Sequence, residues 1–407
     1  MADVAENLNA LHKTVYNEGV PELVPNIAIL QKDIPFETGK KIGDYFEAAV
    51  RLALPNGFTH EVSDGTAGVY SLNDAKAGTQ KKAKVYGYQT VLRDQMSYDD
   101  AAKAMTSKAA YKEGTSFFFE GLQQSARKRK ESQLLYGGVG IGEVQTYTGG
   151  DPSIVIKVAE WAPGLWSGML GAEIDVHSGS TSTVRGSVTV AGIDIENRKL
   201  TLSGTVSSCA AGDKIYFKGA YGKEILGVHK ILSNTSTIFN IDASVYELWK
   251  SPTLAITGSL SFKAVKKVLA KAVGKGLQED VNLYVNPNGW DDLAEDISNM
   301  RTTDKNDVRR VEIGHEEIIY VSQNGKTVVK SHPMVKEGYA YGLCMPTWHR
   351  IGACDFQLGV PGVDEGNTWF HLPTKAGFEA RGFMNQAIYS ESPGKSFYIS
   401  GIVNTTA

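Results

Sequence analysis

The stretch Phe58 to Asp94, FTHEVSDGTAGVYSLNDAKAGTQKKAKVYGYQTVLRD, is the tightest constraint on what this chain can fold into. It reads as two extended stretches around a polar turn near NDAKAGTQ. Within KKAKVYGYQTVL the alternating positions give no clean buried face. A two-stranded hairpin this polar cannot support itself in water. It must lie along another surface, the chain's own or a neighbour's.

A long helix is expected next. Ser97 with Asp100 is a capping-box signal. Asp99 and Asp100 sit at the positive end of the dipole, and Arg127, Lys128, Arg129 and Lys130 lie toward the negative end. Met105, Ala109, Phe119, Leu122 and Ala126 give broken helical periodicity, with weak points at Gly114 and Gly121. Continuous to Tyr136, the helix has about 40 residues and is about 60 Å long, the length of a strut. Gly137, Gly138, Gly140 and Gly142 follow it. They miss the dinucleotide fingerprint, since the sixth place is Glu143 counting from Gly138 and Gln145 counting from Gly140. They also close a helix, where a phosphate loop opens one. We read them as a helix stop and hinge glycines.

Elsewhere the texture alternates. Val4, Leu8, Leu11 and Val15 make one stripe of an N-terminal helix. KKIGDYFEAAVRLALP reads as a helical patch ending before Pro55. From Val184 to Trp249, Thr, Ser, Gly and β-branched residues with recurrent turns predict a module of about five short strands. Its expected core is Tyr216, Phe217, Ile225, Leu226, Ile231 and Phe239. SFKAVKKVLAKAVGKG is a helix with the stripe Phe262, Val265, Leu269 and Val273, its lysines solvated. VNLYV is a buried strand, and Asn288 is placed to cap a helix lined by Trp290, Leu293, Ile297 and Met300. VEIGHEEIIYVS and KTVVKS form a hairpin through Asn324-Gly325. GFEARGFMNQAIYSESPGKSFYISGIV closes the chain with two strands.

Chemistry is hard to find. At 407 residues the chain calls for two or three domains, and its charge of about −3 excludes a polyanion-binding domain as a whole. Three cysteines without a CxxC pair suggest neither disulfides nor zinc. No signal-peptide core and no membrane-length apolar run is present, so a soluble cytoplasmic protein is expected. Gly325-Lys326-Thr327 and Gly394-Lys395-Ser396 end like phosphate loops, but Tyr320 and Tyr389 stand where the first glycines belong. There is no nucleophile elbow. His315 opens HEEII without the second histidine of a zincin. The adjacent pairs Asp364-Glu365, Glu316-Glu317 and Asp291-Asp292 fit helix starts and loops. A triad assembled from distant residues leaves no mark in spacing. Neither enzyme nor cofactor is expected. The tetrad RKRK at 127–130 has a nucleic-acid reading; the favoured one is a solvated or partner-facing surface that meets protein.

The order of elements resembles the tailed-bacteriophage major capsid proteins of the Hong Kong 97-type shell fold. Four stretches carry the resemblance: Phe58 to Arg93; Ser97 to Tyr136 with LLYGGVGIG; NLYVNPNGWDDLAEDI; and GFEARGFMNQAIYSESPGKSFYISGI. It implies an α+β chain with an N-terminal arm (1–57), an extended loop (58–96) and a peripheral domain with a spine helix (97–183). An inserted β-barrel or sandwich (184–250), an axial domain (251–375) and C-terminal strands returning to the peripheral domain (376–407) follow. The loop then lies over an adjacent subunit, with Lys76, Lys81, Lys82, Lys84, Tyr86 and Tyr88 as inter-subunit contacts. No cross-linking motif is present, so the lysines are read as solvated or salt-bridging. The short N-terminal part implies a separate scaffold or none.

The function implied is self-assembly as pentamers and hexamers into an icosahedral head, a virion component assembled in the host cytoplasm. Its partners would be itself, scaffold, portal and cement proteins, and packaged double-stranded DNA by weak non-specific contact, with no membrane. Three other readings stand beside it. One is a bacterial nanocompartment shell. Another is a carbohydrate- or cell-binding protein using the 184–250 module, for which exposed Tyr216, Phe217 and Tyr221 would speak. The last is a hydrolase with a dispersed site.

Overall fold

The computed structural model describes residues 27–40, 43–62, 68–99, 102, 114–179, 183–301, 318–322, 325–359 and 369–405. The expected stripe of Val4, Leu8, Leu11 and Val15, segment 103–113 of the expected helix, and His315 lie outside them. The chain divides into two compact units.

The larger unit holds the described residues of 27–90, 128–355 and 384–405. Its six-stranded sheet runs in the order Thr253–Gly258, Phe397–Ile402, Tyr339–Leu343, Val281–Val285, Gly325–Ser331, Ile318–Ser322. Val281–Val285 is VNLYV, apolar enough to be buried between two neighbours. It pairs parallel with Gly325–Ser331, and the helix Pro287–Arg301 lies in the connection between them. Ile318–Ser322 and Gly325–Ser331 form the expected hairpin pairing. The C-terminal strand Phe397–Ile402 lies between Thr253–Gly258 and Tyr339–Leu343. The expectation that 376–407 return to a peripheral domain is therefore corrected for this last strand.

Two helices cover this sheet. Phe262–Gly274 starts at Ser261, whose Oγ accepts from the Ala264 amide at 3.4 Å. It buries Phe262, Val265, Val268, Leu269 and Ala272. Pro287–Arg301 is capped two residues earlier than expected: Asn286 Oδ1 accepts from the Asn288 amide at 3.0 Å, with Pro287 in the first turn.

A closed six-stranded barrel forms the second core. Its order is Gly142–Tyr147, Ser153–Ile156, Lys199–Leu202, Val184–Asp194, Glu173–His177, Lys214–Phe217. Val144, Ile154, Ile156, Ile174, Val176, Val190, Leu200, Leu202 and Ile215 are buried. The β module thus starts at 142, not 184, and its last strand ends at 217. The first three strands are short and broken by the turns Val158–Glu160 and Pro163–Trp166, which hid their alternation. Ile225, Ile231 and Phe239 are buried outside the barrel strands.

A further expectation changes. FEAAVR, read as helix, is the strand Phe46–Arg51, paired antiparallel with Gln80–Val85. A long-range partner overrides the helix formers Glu47, Ala48 and Ala49. Ser97 ends the strand Tyr88–Ser97, residues 98, 99 and 102 are helical, and the long helix is described over Gly114–Tyr136, 23 residues or about 35 Å. Near its end Glu131 is fully buried and gathers the Leu30 amide at 2.6 Å, the Gln31 amide at 3.2 Å, Gln31 Nε2 at 2.8 Å and His332 Nε2 at 2.9 Å.

The smaller unit holds the described residues of 91–127 and 356–383. Trp369–His371 pairs antiparallel with Gly377–Ser390. Its packing is aromatic: Trp369 lies 5.2 Å from Phe118, 5.1 Å from Phe119 and 6.1 Å from Phe378 between ring centroids.

The glycines after Tyr136 are packed rather than open. Gly138 and Gly140 adopt left-handed φ of 77° and 100°, which stops the helix. A Cβ on Gly137 would stand 2.1 Å from the Ile225 carbonyl oxygen, and the Gly227 amide donates to the Gly137 carbonyl at 2.9 Å. Two backbones cross here with no room for a side chain. Gly137→Ala is expected to lower unfolding free energy by about 3 kcal/mol, against about 1 kcal/mol for Gly138→Ala, where only the left-handed φ is at stake. Urea titrations of the two variants check the order.

Candidate assembly interface

The hairpin of Phe46–Arg51 and Gln80–Val85 is the root of a long arm. Ala83 and Val85 are fully buried, opposite Ala48 and Phe46 in register, and Phe46 packs on Tyr389 at 5.6 Å. The polar strand therefore does have a buried face, formed by two small residues. Its other face carries charge: Lys82 meets Glu47 at 2.7 Å, and Lys84 meets Glu47 at 3.8 Å while lying over the Tyr45 ring. Such pairs at a surface contribute little stability and serve to fix register.

Beyond Arg51 the two sides of the arm stay together. Ala53 and Thr79 exchange backbone hydrogen bonds at 3.2 and 3.1 Å, the Asn56 amide donates to Lys76 O at 3.0 Å, and Asn73 Nδ2 donates to Phe58 O at 2.8 Å. Apolar side chains on this stretch are left in water: Leu54 is 71% exposed, Phe58 68% and Leu72 78%, with Val62, Val69 and Tyr70 also exposed. Scattered apolar residues on a surface need no explanation, but six on one slender arm do. Lys76 and Lys81 are exposed beside them, Tyr86 is exposed and stacks obliquely on Tyr45 at 5.9 Å, and Tyr88 is half-buried.

The basic tetrad is not the solvated face expected of it. Arg127 is exposed, but Lys130 is buried and bonds Asp355 at 2.6 Å. Arg129 lies 3.3 Å over the Phe217 ring and 3.5 Å from Glu224. Lys128 is buried, its Nζ has no hydrogen-bond partner among the described residues, and burial pulls its pKa down to about 8. Four consecutive charges on a helix must point all round it, so some enter the core.

A polar network sits where the helix ends. Lys336 Nζ donates to Glu160 at 2.5 Å and to Gly140 O at 3.0 Å, and the Lys336 amide donates to Tyr136 Oη at 2.7 Å. Tyr339 donates to Glu160 at 2.6 Å. Burial would raise the Glu160 carboxyl, but Lys336 and Tyr339 outweigh it and hold the pKa at about 2. His229 lies 2.8 Å from Tyr341 Oη, and burial, helped by Lys336, pushes it down to about 3. Of Tyr216, Phe217 and Tyr221, only Tyr221 is exposed. Among the described residues no three His, Cys, Asp or Glu side chains are placed to hold a metal ion, and no helix is long and apolar enough to cross a membrane.

No protein-family model matches the chain, and no curated protein does. Solved structures match it end to end. A chain of the cyanophage A-1(L) capsid asymmetric unit is similar over 97% of this chain and 99% of its own, with a TM-score of 0.58 at 12% identity. A chain of the native GTA particle capsid gives 0.52 at 6% identity, over 98% of each. A chain of the cyanophage P-SCSP1u capsid gives 0.50 at 8%, over 98% and 95%. The likeness is one of fold, and the fold is that of phage capsid proteins.

Two tests follow from the buried charges. Unfolded His229 binds a proton near pH 6.5 and folded His229 only near 3; unfolded Glu160 does so near 4.5 and folded Glu160 near 2. In both windows the unfolded chain holds more protons, so stability falls as pH falls from 6.5, by about 1.4 kcal/mol per pH unit per proton. Urea midpoints between pH 4 and 6.5 check this, and His229→Asn flattens the slope. Lys128→Met removes a buried unpaired charge and is expected to stabilise at pH 7 by about 1–3 kcal/mol, read as a higher urea midpoint.

Proposed function

We propose that this chain is the major subunit of an icosahedral viral shell, assembling as pentamers and hexamers around double-stranded DNA, with the arm of each copy lying on its neighbour. The observation that carries the reading is the arm: six apolar side chains exposed on an element that the other described residues do not cover. Burying each contributes about 1.5–3 kcal/mol before the costs of association. That is enough to join copies once the contact is repeated by symmetry. The end-to-end likeness in fold to phage capsid chains supports the same reading.

In this reading the Hong Kong 97-type division applies with revised edges. The loop is the arm from Phe46 to Val85, the axial domain is built on the six-stranded sheet, the spine is the helix Gly114–Tyr136, and the inserted β domain is the barrel at 142–217. Lys76, Lys81 and Tyr86 face the neighbouring copy, while Lys82 and Lys84 hold the arm's root through Glu47. The role is structural rather than enzymatic, the place of action is the virion after assembly in the host cytoplasm, and scaffold, portal and cement proteins are further partners.

Replacing residues 54–78 by a short Gly-Ser turn tests this. The root hairpin and both cores remain, so circular dichroism and the urea midpoint are expected to be unchanged. By light scattering and negative stain, the native chain is expected to give megadalton particles or capsomers, and the variant monomers. A native chain that stays monomeric at all concentrations, or a variant that assembles equally well, would sink the proposal.

A further inference from the structure

The larger unit holds a cavity of about 580 Å³ against the outer face of the barrel. That volume lies within the roughly 300–1,000 Å³ of small-molecule sites. Its floor comes from strands Glu173–His177 and Lys214–Phe217, where His177 and Lys214 stand opposite each other in register. Their neighbours Val176 and Ile215 point into the barrel and are fully buried, so His177 and Lys214 point out. Tyr221 stacks on His177 at 4.5 Å and 15°, and stays 42% exposed. His229 and Lys230, from the helix Val228–Leu232, and Ser178 complete the polar lining.

Charge is not balanced around this cavity. Glu224, the lining carboxylate, is engaged by Arg129 at 3.5 Å. Glu143, opposite Lys214 in register, is engaged by Lys157 at 3.2 Å. Lys336, which bears on His229, is neutralised by Glu160. Lys214 and Lys230 have no ion pair among the described residues, which leaves two positive charges in the cavity lining, one on the floor and one on the helix. His229 feels that field: after burial, Lys336 lowers its pKa, Glu160 opposes, and Lys214 and Lys230 add smaller lowering effects.

We propose that this cavity binds a phosphate group carrying a planar base, with Lys214 and Lys230 on the phosphate oxygens and the base stacked against Tyr221. Ammonium groups serve phosphate as point charges, and an aromatic platform contributes about 1–3 kcal/mol per stacked base without reading its identity. Phosphate and base together come either from a free nucleotide or from a nucleic-acid strand. The assignment concerns the folded chain and does not depend on shell assembly.

Isothermal titration of the full chain at low salt, with inorganic phosphate, deoxyadenosine monophosphate and a short single strand in turn, tests it. The nucleotide is expected to bind saturably, and the double variant Lys214→Gln/Lys230→Gln to weaken it at least tenfold. Tyr221→Ala is expected to weaken the nucleotide and leave inorganic phosphate unchanged. A strand that binds more tightly than the nucleotide, with log K falling against log salt at a slope of about −1.4 for two phosphate contacts, identifies nucleic acid as the source. Equal affinities identify the free nucleotide. Saturable binding by none of the three probes, or binding that the double variant retains, overturns the proposal. Urea midpoints separate loss of the site from loss of the fold: the lysine double variant is expected to keep its midpoint, and Tyr221→Ala, which loses its stack on His177, to fall slightly while unfolding in one cooperative transition.

Discussion

The buried carboxylate of Glu131 is the point on which the larger unit turns. It leaves the long helix and caps the short helix Ile29–Asp33 from outside, taking two of its unsatisfied amides. It also fixes His332, whose Nδ1 accepts from the Met334 amide at 3.1 Å, so that Nε2 carries the proton given to Glu131. Three distant stretches of sequence are thereby held by one side chain. Asp33, at the end of the short helix, is held in turn by Lys330 at 2.8 Å and by the Tyr284 hydroxyl. Each amide left without its acceptor in such a place costs about 1–3 kcal/mol. The helix is thus less a strut beside a core than the post to which other parts are tied.

How much of this was legible depended on range. Phe262–Gly274 could be read because its apolar stripe repeats within a few turns. The strand Val281–Val285 announced itself by composition. The helix stop could be read from Gly138, since a left-handed residue after a helix asks for glycine. Phe46–Arg51 could not be read: its helix formers carry the local signal, while the strand that overrides it lies far along the chain. The three early barrel strands failed for another reason, each being too short to show its own period.

The arm was legible in outline and not in detail. Polarity from Phe58 to Asp94 pointed to an extended segment, and among the described residues that segment leaves apolar side chains exposed. Its root was misplaced, because Ala83 and Val85 are too small and too few to mark a buried face by alternation. The basic tetrad misled in the opposite direction. A run of charge looks solvated, yet Lys128 and Lys130 are buried and Arg129 is stacked on an aromatic ring. Nothing in the spacing distinguishes a lysine that finds Asp355 from one that finds water.

The apolar character of the arm also sets a thermal direction. Burial of such surface is driven near room temperature by the entropy of water, and it weakens on cooling. A joint made chiefly this way has a negative heat-capacity change on closing. Copies held together by these arms would grip more firmly in the warm than in the cold, whereas each subunit's own core keeps its stability across the same range. Refrigeration, not heat, is then the gentle way to take such an assembly apart while leaving its pieces folded.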